Sequence, residues 1–579
     1  MQLQRVFNPF ELGGNEAATT LFDESTYDIT AGVRGMFGER FDWEAFAQHS
    51  EYRYEADRPR LLAQAVHDYF LGPRQGFISG FPIHTLNRDR WFAPWTPEIY
   101  ESVSTRVINK GTTSSSAVNF NISGDLFDLP AGPVGFAGVL EGVRQETELR
   151  SDPRLDPLRP ADNQTVYNLV SSGQTTGRRD RYAAGVEFRV PIFSMLDAQL
   201  AARYDKYDDI TAVDDAITYN LGLEFRPWER LLLRGSYATS FKAPDMQLVY
   251  AEGAASFSNV LDEYSCRAGI GPGSAGGPRT RAQCNQTGDP TIYSARTSLS
   301  GNPGLKEEEG TSYGYGFVWD IIDNMSLSVD YYRIELADAA AQLSNDFILQ
   351  AEAACRLGSW SSTAPRPELT PEFCGNVTSL VTRQVAPGTT LDGRIESINS
   401  AYINTALRDT SGIDSTFRYV LDTDRLGRFR FDVNYSLVLT NKYKQFESDE
   451  LVDYRDSPPI WFYPERSRVR GSVTWNKGDW DTTVYGSRLG SAWSFQEEDG
   501  CLLPPNDQVC FGRRLHPYMV YNLTVGKRFG PNLRAQFDVV NVTNNQYRHD
   551  PGQGYPYFNP WIGADPLGRR YAFSLSYRF

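Results

Sequence analysis

The chain has 579 residues, 57 Lys plus Arg against 72 Asp plus Glu for a net charge of −15, 13% aromatic residues and a mean hydropathy of −0.45. Acidity without a basic block argues against nucleic acid as a partner, the abundance of Tyr, Phe and Trp argues against disorder, and no run nears the ~18 apolar residues of a membrane helix. Length by itself suggests about three to five domains at roughly 150 residues each.

The opening MQLQRVFNPFELGGNE lacks a basic region followed by an apolar run, so no secretory signal is expected in it. Beyond it, period-two alternation recurs to the C-terminus, which predicts strands nearly throughout. The first predicted strand is about 26–37. Over 217–226, Ile217, Tyr219, Leu221, Leu223 and Phe225 share one face against Thr218, Asn220, Glu224 and Arg226. Over 428–439, Phe429, Phe431, Val433, Tyr435, Leu437 and Leu439 oppose Arg428, Arg430, Asp432, Asn434 and Ser436. Over 468–476, Val469, Gly471, Val473 and Trp475 oppose Arg468, Arg470, Ser472 and Thr474; the chain closes with Tyr571, Phe573, Leu575, Tyr577 and Phe579 on one face.

Alternation also suits a soluble sandwich. Three features favour an all-β, transmembrane antiparallel barrel. The strands often reach ten or more residues against a usual ~5–6. Aromatics crown the apolar face near strand ends, as a membrane girdle requires. The polar face carries charges in register, which suits a wet lumen. In lipid every backbone group needs a partner, so such a sheet must close. Short turns are predicted near Phe37–Phe41, Leu129–Val134, Pro191–Leu196, Pro227–Arg230, Ile321–Asn324, Thr423–Leu426, Asn476–Asp479 and Gly530–Asn532. They alternate with long connections over roughly 55–103, 151–178, 242–307, 337–397, 444–463, 492–515 and 543–568, and a shorter one over Asp208–Asp215. The long set is expected outside the cell, and the count is ~17 strands. With that orientation the first and last strands both run toward the short turns, which puts Met1 outside. Bacterial barrels have even strand numbers, so an odd count reads as a barrel without its beginning.

Six cysteines fall in three local pairs, Cys266 with Cys284, Cys355 with Cys374 and Cys501 with Cys510, all in long connections. Local pairs in outer loops point to disulfides in an oxidising compartment; the alternative is buried free thiols.

LLLRGSYATSFKAPDMQLVY (231–250) is a strand running into Phe241-Lys242-Ala243-Pro244, where Pro244 stops ladder donation. NPGLKEEEG (302–310) supplies Asn302, Pro303, Leu305, Lys306 and Glu308 at the start of the next strand. Together they resemble the paired signatures of TonB-dependent outer-membrane receptors, with Lys242 where Arg is usual. Asn541-Val542-Thr543-Asn544, Gly568-Arg569-Arg570, terminal Phe579 and the stretch 127–147 are similar to further elements of that family. The resemblance implies a barrel of ~22 strands with a globular plug and a TonB-contacting box ahead of it. Neither plug nor box is found over 1–579, so the chain reads as the barrel portion of such a receptor, short of about five strands. A truncated gene, a split gene and a wrong start codon are the open explanations. The implied function is uptake of a scarce ligand (ferric siderophore, haem, cobalamin or oligosaccharide) across the outer membrane of a Gram-negative bacterium. A passive porin or structural outer-membrane barrel is the alternative. The implied partners are outer-membrane lipid, the TonB complex through a plug, and the barrel-assembly machinery through Phe579. No enzyme activity and no cofactor are expected.

The other motifs are weak. Gly271, Gly273 and Gly276 spell GxGxxG without a strand-to-helix context. Asp208, Asp209, Asp214 and Asp215 form an acidic loop without EF-hand spacing, read as solvated, and Glu447, Asp449, Glu450 and Asp453 are read alike. Residues 344–358 are expected to form a short loop helix pinned by Cys355. Tyr555, Tyr557, Phe558 and Trp561 are candidates to stack on a ligand. Arg428, Arg430, Arg468, Arg470 and Arg570 are candidates to attract an anion, or else to pair with lumen carboxylates.

Overall fold

The computed structural model describes the chain except residues 1–4, 79–80, 157–158, 168–172, 271–276, 287, 362–365, 388–390, 447, 456–464, 494–513, 551–557 and 560–562. Seventeen long strands follow one another in a single antiparallel sheet: β1 (Leu21–Phe37), β2 (Phe41–Leu61), β3 (Ser104–Leu129), β4 (Gly132–Arg150), β5 (Thr175–Phe193), β6 (Leu196–Asp208), β7 (Asp215–Trp228), β8 (Leu231–Lys242), β9 (Glu308–Ile322), β10 (Met325–Gln342), β11 (Ile395–Thr423), β12 (Gly427–Lys444), β13 (Ser467–Lys477), β14 (Trp480–Leu489), β15 (Tyr518–Phe529), β16 (Leu533–Val540) and β17 (Arg570–Tyr577). Each pairs with its neighbours in chain order. All eight short turns fall where the sequence places them. β1 starts earlier than 26, because its whole length pairs with β2, Leu21 opposite Asp57 through to Phe37 opposite Phe41.

Register carries the alternation from strand to strand. Tyr419, Phe431, Val473, Val484, Leu523, Val539 and Tyr571 lie side by side across β11 to β17. One position along, Arg418, Asp432, Ser472, Tyr485 and Asn522 line the opposite face. The apolar face is outward: Val484 and Tyr571 of this row and Phe573 beside it stay exposed, although large and hydrophobic, and within the row Val539 is buried. A sheet whose exposed face is its apolar one is solvated by hydrocarbon, not water. Aromatics edge this band, Trp43, Trp228, Trp319 and Trp480 toward the short turns and Tyr182, Tyr219, Tyr237 and Tyr313 toward the long connections. Lys527 stands over the Trp480 ring at 4.4 Å, the amphipathic contact of a membrane interface. The predicted face of 428–439 holds as far as Leu437; a bulge pairs Ser411 with Thr440 and Gly412 with Val438, so Leu439 is skipped.

Among the described residues, β1 pairs only with β2 and β17 only with β16, and both run toward the short turns. Residues before β1 sit among the long connections. Phe7 packs on Trp95 with ring centres 4.3 Å apart, and Arg5 donates to the carbonyls of Trp91 (2.7 Å) and Ala93 (2.8 Å).

The buried apolar clusters lie in these connections and at the strand ends that lead into them. One unites Phe70, Trp95, Tyr100 and Val103 with Phe7 and Leu12. The largest gathers Val260, Ala295, Phe347, Ile348, Leu349 and Val377 from the β8–β9 and β10–β11 connections with Ile395 and Ile398 from the start of β11.

Candidate functional site

The inner wall is a series of charged rungs. Arg189 and Arg226 both reach Asp197, at 3.6 and 3.8 Å, and Arg226 also reaches Glu224 at 2.9 Å. Arg234 forks onto Asp330 through two hydrogen bonds of 2.7 and 2.6 Å. Higher up, Arg181 pairs with Glu141, and Arg203 with Asp205 at 2.9 Å. These rungs arise because register brings inward positions of neighbouring strands abreast, Asp197 opposite Glu224 and Glu224 opposite Arg234. They flank two hollows on the inner wall. One, of about 910 Å³, meets Arg34, Glu44, Asn121, Glu187 and Arg203; the other, of about 560 Å³, meets Arg189, Asp197, Glu224, Arg234 and Asp330. The wall is wettable and of mixed sign, so it suits a polar occupant without selecting a charge.

The candidate lumen arginines are mostly neutralised in place. Arg430 donates to Asp432 (2.7 Å), Arg428 lies 3.7 Å from Asp422, Arg468 is 3.0 Å from Glu465, and Arg570 is 3.2 Å from Asp565. Arg470 faces inward opposite Asn434. Of the aromatic candidates, Phe558 stacks on Tyr547 with centres 4.9 Å apart. Tyr555, Tyr557 and Trp561 lie outside the described residues, as do the 271–276 glycines, Glu447, Cys501 and Cys510. Disulfides join Cys266 to Cys284 and Cys355 to Cys374.

The acidic loop departs from the solvated reading at Asp209. Its side chain is wholly buried and takes a hydrogen bond from Arg179, which also donates to the Pro244 carbonyl at 2.7 Å and lies over the Tyr207 ring. The Phe-Lys-Ala-Pro exit is therefore anchored to β5 through Arg179. Lys242 makes an exposed contact with Asp245 at 3.3 Å.

The second signature staples the rim. Asn302 donates to the Tyr402 carbonyl (2.8 Å) and accepts from the Gly304 amide. Asn404 accepts from the Lys306 amide (2.9 Å) and donates to the carbonyls of Lys306 and Asp338. Glu308 accepts from the Ala340 amide (3.1 Å), and Leu305 is fully buried. Asn541 and Asn544, both at positive φ, form the turn after β16. Buried Asn541 exchanges side-chain hydrogen bonds with the Asn545 backbone, and Asn544 accepts from the Arg569 amide. Asn tolerates this conformation because its amide bonds the nearby backbone.

Above the rim, two connections build a cap. The strands Ala254–Leu261 and Ile292–Ser300 pair antiparallel; the second pairs parallel with the start of β11, which pairs antiparallel with Val381–Arg383. Helices α1 (Glu263–Ala268), α2 (Asn345–Leu357) and α3 (Pro371–Ser379) pack beside this mixed sheet. The expected helix over 344–358 is α2, started by Ser344 accepting from the Phe347 amide and stopped by Gly358 at φ 76. At its centre Arg383 forks onto Asp262 (two bonds of 2.9 Å) and onto Glu352 (2.8 and 2.7 Å). Tyr293 donates to Asp262 (2.8 Å) and accepts from the Ile395 amide (2.8 Å). Burial opposes ionisation of Asp262, but the Arg383 fork outweighs it and holds the carboxyl below its ordinary value. The side chain of Asp289 is largely covered as well; Arg279 and Thr291 overcome that desolvation and bring it down to about 2. Nothing in the one-dimensional pattern marks this hub, since its residues come from separate connections. Among the described residues no group of His, Cys, Asp and Glu is arranged to hold a metal.

The model of the TonB-dependent receptor-like β-barrel family matches residues 5–542. No curated protein matches. Among solved structures, the ferric enterobactin receptor PfeA of Pseudomonas aeruginosa is 15% identical and superposes with a TM-score of 0.55 over 97% of this chain and 62% of its own. FpvA of P. aeruginosa, solved with a pyoverdine–iron complex, gives 12%, 0.52, 96% and 56%; the copper transporter OprC gives 11%, 0.51, 96% and 66%. At such identities the likeness establishes the fold. The chain spans about three-fifths of the length of the enterobactin receptor.

Proposed function

Because the chain belongs to the TonB-dependent receptor-like β-barrel family, we propose that it forms the membrane wall and outer recognition surface of a receptor for energised uptake of a large, scarce nutrient, a ferric siderophore first among them. The observation that carries this reading is the pairing of a continuous lipid-facing band with folded bodies on the long-connection side. A diffusion pore has no need of buried cores and disulfides above its mouth, whereas capture of a dilute ligand needs a preorganised surface. The relatives named for ferric enterobactin, a pyoverdine–iron complex and copper support a metal-bearing ligand. Tyr547 with Phe558, and Arg470 on the inner wall, are the contacts we assign to it, with Tyr555, Tyr557 and Trp561 of the same outer loop.

The reading includes partners. Edge strands β1 and β17 point the same way, so antiparallel closure takes an odd number of further strands between them, and a plug within the lumen would carry the TonB contact. Terminal Phe579 follows an outward row of Tyr571, Phe573, Leu575 and Tyr577 and would be read by the barrel-assembly machinery.

Uptake of radiolabelled ferric siderophores by cells carrying the intact gene tests the proposal. Uptake should exceed that of a deletion strain and stop when the proton gradient is collapsed. Uptake that persists without the gradient would favour the passive porin.

A further inference from the structure

The β8–β9 and β10–β11 connections are separated in the chain by a complete membrane hairpin, β9 with β10. Neither can complete the cap. The parallel pair of Ile292–Ser300 with the start of β11 runs Arg296 opposite Ser397 to Ser300 opposite Ala401, so one strand of each pair comes from each side of that hairpin. The apolar cluster is likewise mixed: Val260 and Ala295 come from the first connection, Phe347, Ile348, Leu349 and Val377 from the second.

Charge reinforces the junction in both directions. Arg383 belongs to the second connection and is shared between Glu352 of the same connection and Asp262 of the first, both carboxylates being essentially inaccessible. Arg281 of the first joins buried Glu263 to Asp346 at the start of α2, and Arg267 donates to the Ser359 carbonyl at 2.8 Å. Each disulfide lies one helical turn from this hub: Cys266 follows Glu263 on α1, and Cys355 follows Glu352 on α2. Asp262 has Arg383 as its one guanidinium partner among the described residues, whereas Glu352 also holds Arg356 at 2.9 Å; an opening that separates the connections therefore strands a buried Asp262, which couples it to loss of the hub. Segments joined this way open together and not one at a time.

We propose that the two connections act as one cooperative body, clasped by Arg383, that opens as a unit. Arg383 is then a positioning residue: it acts on a recognition surface by holding α1 and α2 together. The cap's role in recognition rests on the receptor reading above; the cooperativity itself does not.

Hydrogen exchange with mass spectrometry on the full-length protein, purified from its native membrane without added ligand, tests the clasp. Arg383→Met changes only the second connection. Exchange should nonetheless rise at least tenfold in residues 254–268 as well as in 345–357, while β5 to β8 are unchanged. Asp262→Asn, on the other side, should raise exchange in 345–357 in the same way, and Arg383→Lys should restore part of the protection in both. A rise confined to the connection carrying the substitution would overturn the proposal. A second measurement needs no substitution. On a urea ramp of the native protein, 254–268 and 345–357 should lose protection at one midpoint, and two separate midpoints would overturn it. Because no ligand is present, a failure here is distinct from a failure of the uptake experiment.

Discussion

The wall and the cap both use arginine–carboxylate pairs, yet the two regions place them in opposite surroundings. Along the wall, Arg234–Asp330 and Arg430–Asp432 keep between 23% and 57% of their side-chain surface open to the lumen. In the cap, Asp262 and Glu352 are sealed and Arg383 nearly so. Open pairs of this kind are individually worth little, with a median of about 0–1 kcal/mol. The wall does not need them: its backbone is tied rung to rung by seventeen strands in lipid, where an unpaired amide is expensive. The cap stands in water without that constraint. It substitutes a core, two disulfides and a buried fork, which makes it a protein domain built from loops.

The largest effect of breaking this contrast falls on the cap. Arg383→Met strands buried Asp262, while Glu352 keeps Arg356 at 2.9 Å, and should cost the cap about 3–5 kcal/mol, seen as lost protection or protease resistance there, while the heat-dependent gel mobility of the barrel is kept. Replacing Cys355 and Cys374 by Ser should cost about 3 kcal/mol, the value for closing a loop of that length, again with the wall intact on gels. On the wall, Val484→Arg inserts a charge in the lipid-facing band and should cost about 2 kcal/mol or more in folding into bilayers, against near neutrality for inward Thr483→Arg. Equal effects at the two positions would break the face assignment.

Acid should divide the regions as well. Asp262 and Asp289 titrate lower folded than unfolded, so their contribution is complete above the unfolded value near ~4 and is lost as pH falls through the folded value, which for Asp289 is about 2. Circular dichroism and exchange should show the cap loosening between about pH 4 and 2 with the strand signal retained. The smallest effect belongs to Lys242→Ala: its contact with Asp245 is exposed, so less than about 0.5 kcal/mol should change, although it sits in the signature itself.

How much of this was legible follows from which forces are local. Alternation at Phe429 through Leu437 and the turn residues between strands are read one residue at a time, so strand number, turn positions and facing were accessible. The bulge at Leu439 was not, because it is set by Ser411 and Gly412 on the neighbouring strand. The cysteine pairs Cys266–Cys284 and Cys355–Cys374 were legible from proximity. Asp209 was not: it looks solvated within its acidic loop until Arg179 arrives from β5. The signature around Asn302 and Glu308 was visible as a motif. Its work as a rim staple appears only once Tyr402, Asn404 and Ala340 are brought beside it.

The sequence by itself therefore determined a membrane wall, because a period of two fixes which side chains meet lipid and which meet water wherever the strand pairs. Only the tertiary structure decided that two connections on either side of a membrane hairpin share one sheet, one core and one guanidinium. Those contacts join residues far apart in the chain, such as Asp262 and Arg383 at a separation of 121, whose charges carry no mark of their partner until folding buries them together.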